Sequence, residues 1–198
     1  MSGIPILLEA RGLRVLVVGG GPVAARKAAQ FSSAGADVRV VATATSSEME
    51  STGLAVTIHA YEPADIGEAE LVIAATNDRV VNMAIAADAR ALSRLVNIVD
   101  AAGGGSFSVM SAHQSGSLTI GVSAGGVPAA ARRIRDAVAD RFGPPYGSAV
   151  AQLGAVRAQL LASGNAAQWR VISDELLDEH FCEAVDEGRF AERLSAWP

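Results

Sequence analysis

The sequence has few aromatic residues, few charged residues and no basic excess. Phe, Trp and Tyr make up 5% of the 198 residues, so the core must be built mainly from Ala, Val, Leu and Ile, and side chains that could stack on bases are scarce. Charged residues make up 19%, below the value of about 25% that is typical of soluble domains. The net charge of −5 is the opposite of what binding to nucleic-acid phosphates requires. The composition therefore argues against a nucleic-acid partner.

The sequence has a single cysteine and no long apolar run. Cys182 is the only cysteine, so no internal disulfide can form, which favours a reducing compartment. No apolar run approaches the length of about 18 residues that a transmembrane helix needs, and Ile4–Leu8 is too short for the core of a signal peptide. We therefore expect a cytoplasmic protein without a membrane partner. Its length suits one nucleotide-binding domain and a smaller second unit.

The most informative stretch is RVLVVGGGPVAARK, from Arg14 to Lys27. Val15–Val18 form a continuous aliphatic run, which is typical of a central parallel strand that is buried on both faces. Gly19–Gly21 follow, and glycine lets the backbone turn sharply and approach a ligand closely. Pro22 then begins a run of helix formers, because its missing N–H costs nothing in the first turn of a helix.

Together, the strand, the glycine turn and the helix N-terminus predict a pyrophosphate cradle. Backbone amides and the positive end of the helix dipole would face the anion, and Gly19-x-Gly21-x-x-Ala24 matches the dinucleotide fingerprint with Ala in third place. A merely structural turn is the alternative. The acid that usually binds the adenosine ribose is absent after the second strand, where Thr43 or Thr45 could replace it. We predict NAD as the cofactor, although this sequence lacks the usual marker that separates NAD from NADP.

Further apolar runs predict an α/β fold with a Rossmann-like parallel sheet. Strands are expected at Asp37–Ala42, Val56–His59, Leu71–Ala75 and Leu95–Val99, mostly alternating with helices, which implies right-handed crossovers. Ligands of such sheets bind beyond the carboxyl ends of the strands. The residues expected to contact the cofactor there are Gly19, Gly20, Gly21, Pro22, Val23, Thr43, Ala44, Thr76 and Asn77.

The pattern changes after the glycines at 103–105. Strands are predicted at Phe107–Ala112 and Leu118–Ser123, joined by a turn over 113–116, and a helix is predicted at Ala129–Phe142. Two strands are too few for an independent sheet, so we expect them to pair with a second copy in a homodimer. The predicted organisation is an NAD-binding Rossmann-like domain over 1–106, a small α+β dimerisation and substrate region over 107–145, and a helical C-terminal region over 146–198.

These motifs together resemble the precorrin-2 dehydrogenase family, which forms the oxidase module of siroheme synthases. The matching segments are IPI at 4–6, VVGGGPVAARKA at 17–28, IAATND at 73–78, VNIVDA at 96–101 and GVSAGGVPAAARRIR at 121–135. The resemblance covers residues 4–142, and beyond them only the helical character of the tail is shared. Because the chain lacks the methyltransferase portion of some members, it resembles the stand-alone form.

The resemblance implies that the protein oxidises precorrin-2 to sirohydrochlorin with NAD⁺ in siroheme biosynthesis. It assigns the family's catalytic acid to Asp100, at the end of the fifth strand, where a carboxylate could take up a proton; a turn or cap residue is the alternative. The carboxylates of the tetrapyrrole are expected to contact Ser123, Gly125, Gly126 and Arg132 at the start of the next helix. Some members also insert Fe²⁺, for which His113 or Asp100 could act as the base. No clustered metal ligands argue for this second activity, which the sequence leaves open.

The sequence departs from the family pattern on the expected substrate side. Ala102 and Met110 stand where members commonly have Pro, Gly103–Gly105 replace a more varied segment, and Ala124 occupies a position where a second serine can occur. The cofactor side keeps the pattern.

Two other functional classes stay open at this point. A nucleotide-sensing regulatory module would share the glycine turn but would normally show the ribose-binding acid and no polar group after the fifth strand. Another small-molecule dehydrogenase is the second possibility. It would not be a short-chain enzyme with a Tyr-x-x-x-Lys pair, because Tyr61 and Tyr146 each lack a Lys four residues later.

Overall fold

The computed structural model describes residues 3–99 and 104–196, which form two compact units that divide between Val109 and Met110. The first unit contains a five-stranded parallel sheet in the order β3-β2-β1-β4-β5. Its elements are β1 (Arg14–Val18), α1 (Pro22–Ser33), β2 (Asp37–Ala42), α2 (Ser47–Glu50), β3 (Val56–Ile58), a 3₁₀ helix (Pro63–Ile66), β4 (Leu71–Ala74), α3 (Arg79–Ala91) and β5 (Leu95–Ile98). The predicted α/β Rossmann-like fold is confirmed.

Strand β1 is the centre of this sheet, and its side chains divide the core into two layers. Val15 and Val17 pack on the layer that includes α1, whereas Leu16 and Val18 pack on the layer that includes α3. All four are almost completely buried. Because successive residues of a strand point to opposite faces, the continuous aliphatic run is what a strand covered on both sides requires.

Small side chains let the helices lie close to the sheet. In α1 the buried positions are Ala24, Ala25 and Ala28 together with Phe31, and in α3 they include Ala86 and Ala89. Interiors pack at nearly crystalline density, so alanine on the helices and branched aliphatic residues on the strands fill most of each layer, and few aromatic rings such as Phe31 are needed. The core of the first unit is therefore mainly aliphatic, as the scarcity of aromatic residues in the sequence predicts.

The second unit begins with a two-stranded antiparallel sheet, β6 (Ser111–Ser115) and β7 (Leu118–Val122). The strand predicted at Phe107–Ala112 was placed too early, because Phe107 and Val109 pack against the core of the first unit. The turn predicted over 113–116 was also wrong. His113 pairs with Ile120 inside the ladder, and the connection is the two residues Gly116 and Ser117, with Gly116 at φ 54°.

The described residues of the second unit also form five helices: α4 (Pro128–Arg141), α5 (Pro144–Ala162), α6 (Ala166–Leu176), α7 (Phe181–Asp186) and α8 (Phe190–Ser195). The predicted helical C-terminal region is thereby confirmed, whereas the finer division of the chain at residues 106 and 145 stays a prediction. Within the described ranges, no helix combines the length and apolarity needed to cross a membrane.

A polar cluster joins the end of α4 to α5 and α7. The Arg141 guanidinium donates to both carboxylate oxygens of Asp186, at 2.6 and 2.7 Å, and the buried Tyr146 hydroxyl donates to the same carboxylate at 2.9 Å. Burial and the hydrogen bond to Asp186 raise the pKa of Tyr146 to about 12. The phenol therefore stays protonated at neutral pH and acts as a structural donor.

Candidate nucleotide-binding site

The glycine turn after β1 is the centre of the candidate site. Gly19 donates its N–H to the carbonyl of Val41 at 2.8 Å and adopts φ 131°, which side chains disfavour. A Cβ at Gly19 would overlap the Ala75 carbonyl, and a Cβ at Gly20 would overlap the Ala44 carbonyl. The loops after β2 and β4 thus close directly on the turn, and only glycine allows this approach at both positions.

Gly21 differs from these two glycines, because a Cβ built there meets no protein atom within 4 Å. It is the N-cap of α1, with an extended backbone (φ −82°, ψ 177°), and no side chain caps the helix. Pro22 occupies the first helical position, and the first turn carries no acidic residue. The backbone amides and dipole of α1 are consequently open to an anion. This is a cradle that a larger side chain would fill, and it fits a pyrophosphate group.

The loop after β2 forms one wall of the cradle. Ser46 donates its N–H to the carbonyl of Gly20 at 2.9 Å, and its side chain accepts the N–H of Met49 at the start of α2. Thr45 donates its hydroxyl to Glu50 Oε1 at 2.9 Å. The Glu50 carboxylate of α2 therefore reaches the loop after β2, which contains no Asp or Glu of its own.

The loop after β4 forms the opposite wall. Ala75 donates its N–H to the carbonyl of Val18 at 2.8 Å, which continues the ladder to the edge of the glycine turn. Thr76 follows, and its backbone and hydroxyl are bonded to the side chain of Asn82 in α3. Asp78 accepts the N–H groups of Val80 and Val81 and thereby caps α3.

The structure brings the predicted cofactor residues together. They lie in the glycine turn, in the start of α1, and in the loops that follow β2 and β4, at one edge of one sheet. They are Gly19, Gly20, Gly21, Pro22, Val23, Thr43, Ala44, Thr76 and Asn77. Their contacts with a cofactor stay a prediction.

The predicted catalytic residue is outside the described residues, and the predicted substrate residues belong to the second unit. Asp100 falls outside the described residues, as do Ala102 and Gly103. Ser123, Gly125 and Gly126 lie in the second unit, between β7 and α4, where both glycines have positive φ and open space around them. Arg132 is exposed on α4. Among the described residues, no group of three or more His, Cys, Asp and Glu side chains is arranged to hold a metal ion.

Sequence reasoning missed two residues at this edge, Asn82 and Glu50. Apart from the hydroxyl-bearing Tyr146, Asn82 is the one polar side chain within the described residues that is buried, at 5% exposure, and it interrupts the apolar face of α3. Its position four residues after the capping Asp78 was a usable signal. Glu50 follows the N-cap Ser46 by one helical turn, but nothing in the spacing indicated that its side chain would turn back to Thr45.

The chain matches a protein-family model described as "Putative NAD(P)-binding" over residues 6–111, which is more than half of its length. The chain belongs to this NAD(P)-binding family. The match covers every strand of the parallel sheet and the whole cradle. The match supports a nicotinamide cofactor for this chain and does not separate NAD from NADP.

Similar proteins include bacterial siroheme synthases. The chain is 34% identical to the siroheme synthase of Pseudomonas putida (strain W619) over 99% of its own length and 42% of that protein. It is 39% identical to the siroheme synthase of Chromobacterium violaceum over 74% of its own length and 32% of that protein. The chain thus spans less than half the length of these curated relatives.

A solved structure described as SirC, a precorrin-2 dehydrogenase, has the same fold. It superposes with a TM-score of 0.74 at 24% identity, covering 98% of this chain and 100% of that one. This likeness shows the shared fold. The curated relatives confirm the resemblance to siroheme synthases that the sequence motifs predict.

Gly21 provides a direct test of the cradle. Gly21→Asp should leave the fold intact, because the backbone is unstrained and the new Cβ meets no protein atom. The added carboxylate would stand in the ligand's space, so the Kd for NAD⁺ should rise by at least about tenfold, measured by calorimetric titration. Gly154→Asp is the matched control, since its Cβ also meets nothing within 4 Å and it lies on α5. Equal NAD⁺ affinity in the folded Gly21→Asp variant and the parent would contradict the assignment.

Proposed function

We propose that this protein is an NAD-dependent precorrin-2 dehydrogenase that forms sirohydrochlorin in siroheme biosynthesis. The observation that carries the proposal is the similarity to siroheme synthases over 99% of the chain, in a protein whose first unit holds an open pyrophosphate cradle. A cytoplasmic location is part of the proposal, supported by the single, exposed cysteine.

The reaction removes a hydride and a proton from the substrate. Bound NAD⁺ would accept the hydride. We assign uptake of the proton to the carboxylate of Asp100, the residue that follows Val99. Val99 donates its N–H to the carbonyl of Ala74 at 2.9 Å, at the carboxyl end of β4. In Rossmann-like sheets this end of the neighbouring strands is where ligands bind.

The arginines of α4 support a polycarboxylate substrate. Arg135 is paired with Asp136 and Arg141 with Asp186. Among the described residues, no carboxylate forms a salt bridge with Arg132 or Arg133, and both are exposed. We propose that Arg132, together with Ser123 and the backbone at Gly125 and Gly126, binds carboxylates of the tetrapyrrole.

A second copy of the chain would complete the small sheet. Within the described residues, β6 and β7 pair only with each other, so each has an open edge. Open edges favour pairing with another chain. We therefore propose a homodimer through residues 107–142.

The function is tested by anaerobic incubation of the purified protein with precorrin-2 and NAD⁺. We expect NADH to form in step with the absorbance of sirohydrochlorin, with one NADH for each substrate molecule oxidised. A protein that binds NAD⁺ but leaves precorrin-2 unchanged would contradict the proposed substrate and favour the nucleotide-sensing alternative.

Asp100→Asn tests the proton acceptor, because the amide keeps the shape of the carboxylate and removes its basicity. The rate of oxidation should fall by roughly 10² to 10⁴, the usual contribution of a general base, with little change in the Kd for NAD⁺. If the protein also inserts Fe²⁺, a shared role for Asp100 predicts that both activities fall together. A folded variant that oxidises precorrin-2 near the parent rate would eliminate this role.

We also propose that NAD is preferred over NADP. From Val40 to Asp78 the sequence contains no Lys or Arg, whereas a 2′-phosphate needs a cation. Arg39, just before this range, donates to the carbonyl of Asp65. The loop after β2 instead faces carboxylates. Glu50 is bonded to Thr45, and the pKa of the Glu48 carboxyl is lowered by hydrogen bonds from its own backbone N–H and from the hydroxyls of Ser46 and Ser47.

Glu50→Gln tests this preference. Removing the negative charge should improve the affinity for NADP⁺ relative to NAD⁺ by about threefold at low ionic strength, and the effect should shrink as salt is added. Glu68→Gln is the control, because Glu68 lies before β4, beside Arg14 at the opposite edge of the sheet, and the change in net charge is the same. The measurement is the ratio of the two dissociation constants; an equal ratio in both variants would contradict a role for Glu50.

A further inference from the structure

Asn82 is buried in the first unit, and all three of its side-chain hydrogen bonds end on one residue. Its Oδ1 accepts the Thr76 N–H at 3.1 Å and the Thr76 hydroxyl at 2.7 Å, and its Nδ2 donates to the Thr76 carbonyl at 2.9 Å. The side chain thus bonds to both the N–H and the carbonyl of a single loop residue. Burial of the Asn82 amide costs little free energy, because its hydrogen bonds are made. Without Asn82, the N–H and carbonyl of Thr76 would lose these partners.

The hydrogen bonds of the Thr76 hydroxyl are made within the loop and to Asn82. The hydroxyl has one proton, and the distance to Asn82 Oδ1 (2.7 Å) is shorter than the distance to the Asp78 carbonyl (3.0 Å). Its oxygen also accepts the Asp78 N–H at 3.2 Å. Thr76 therefore shapes the loop with its side chain.

The same loop forms a wall of the glycine turn. A Cβ on Gly19 would overlap the Ala75 carbonyl and lie 3.2 Å from the Thr76 nitrogen, so the backbone at 75–76 lies directly against Gly19. A shift of Thr76 would change the space in which the turn holds its anion. Within the described part of the chain, the Asn82 side chain bonds to Thr76 and not to the turn itself, so its influence on the turn passes through Thr76.

We propose that Asn82 is a positioning residue for the nicotinamide dinucleotide. From α3 its side chain holds Thr76 in place, and the loop that contains Thr76 forms one wall of the cradle. The inference rests on the proposed cofactor site but not on the proposed substrate. It also accounts for a polar residue at 5% exposure on a helix face that is otherwise apolar.

Asn82→Ala should raise the Kd for NAD⁺ by about tenfold, since binding must then order a loop that the parent holds in place. Tyr61→Phe is the matched control. It removes the hydrogen bond from the Tyr61 hydroxyl to Asp88 Oδ2 (3.0 Å), which ties the same helix to the unit at a residue remote from the loop. Both variants should lose thermal stability, but only Asn82→Ala should lose affinity in the folded protein.

Thr76→Val provides a second route if Asn82→Ala does not fold. It removes the hydroxyl from the partly buried Thr76 and should also weaken NAD⁺ binding, and the double variant should lose less affinity than the sum of the two single losses, because both remove the same interaction. Parent-like NAD⁺ affinity in the folded single variants would overturn the proposal. A parent that binds neither NAD⁺ nor NADP⁺ would overturn the cofactor assignment and this inference together, whereas a failure with precorrin-2 would leave both intact.

Discussion

Close backbone contact at the carboxyl edge of the parallel sheet is the constraint on which the candidate site depends. Gly19 lies against the carbonyl of Ala75 and Gly20 against the carbonyl of Ala44, so the loops after β2 and β4 meet at the turn after β1. The polar side chains of those loops are used to hold them there, as Ser46 caps α2 and Thr76 bonds to Asn82. The surface left for an anion is therefore mainly backbone N–H groups at the start of α1.

Local rules explain why the first unit was predictable from the sequence. The aliphatic run of β1, the glycine turn and Pro22 each specify their own conformation, and the strands on either side follow from the same periodicity. The hairpin was harder. Its register depends on the two-residue turn at Gly116 and Ser117, and there the backbone of Gly147 in α5 comes so close to the Ser115 carbonyl that an added Cβ would overlap it. Such a contact between distant residues cannot be read from spacing alone. The same holds for Glu50, whose side chain turns back to a loop that precedes it.

The two units are stabilised by different kinds of packing. In the first, alanines on α1 and α3 meet Val, Leu and Ile of the strands. In the second, rings pack edge to face: Phe142 with Tyr146 at 4.9 Å, Tyr146 with Phe181 at 6.4 Å, and Phe181 with Phe190 at 5.3 Å. A sheet offers a broad apolar surface that small residues can cover closely, whereas helices packed on one another leave wider gaps that rings fill. Aromatic residues are thus few in the whole chain but concentrated in the second unit.

The chain also offers two distinct chemistries for anions. In the first unit, the cradle presents amides and a helix dipole, in a region where Val40 to Asp78 contain no Lys or Arg. In the second, α4 carries arginines, and Arg132 and Arg133 form no salt bridge with the described carboxylates. Fixed amides suit one group that must always lie at the same point, because they lose no side-chain freedom on binding. Long arginine side chains suit several carboxylates spread over a large ring, because each can adjust to its own partner. This contrast is consistent with the proposal that the first unit binds the dinucleotide and that α4 binds carboxylates of the substrate.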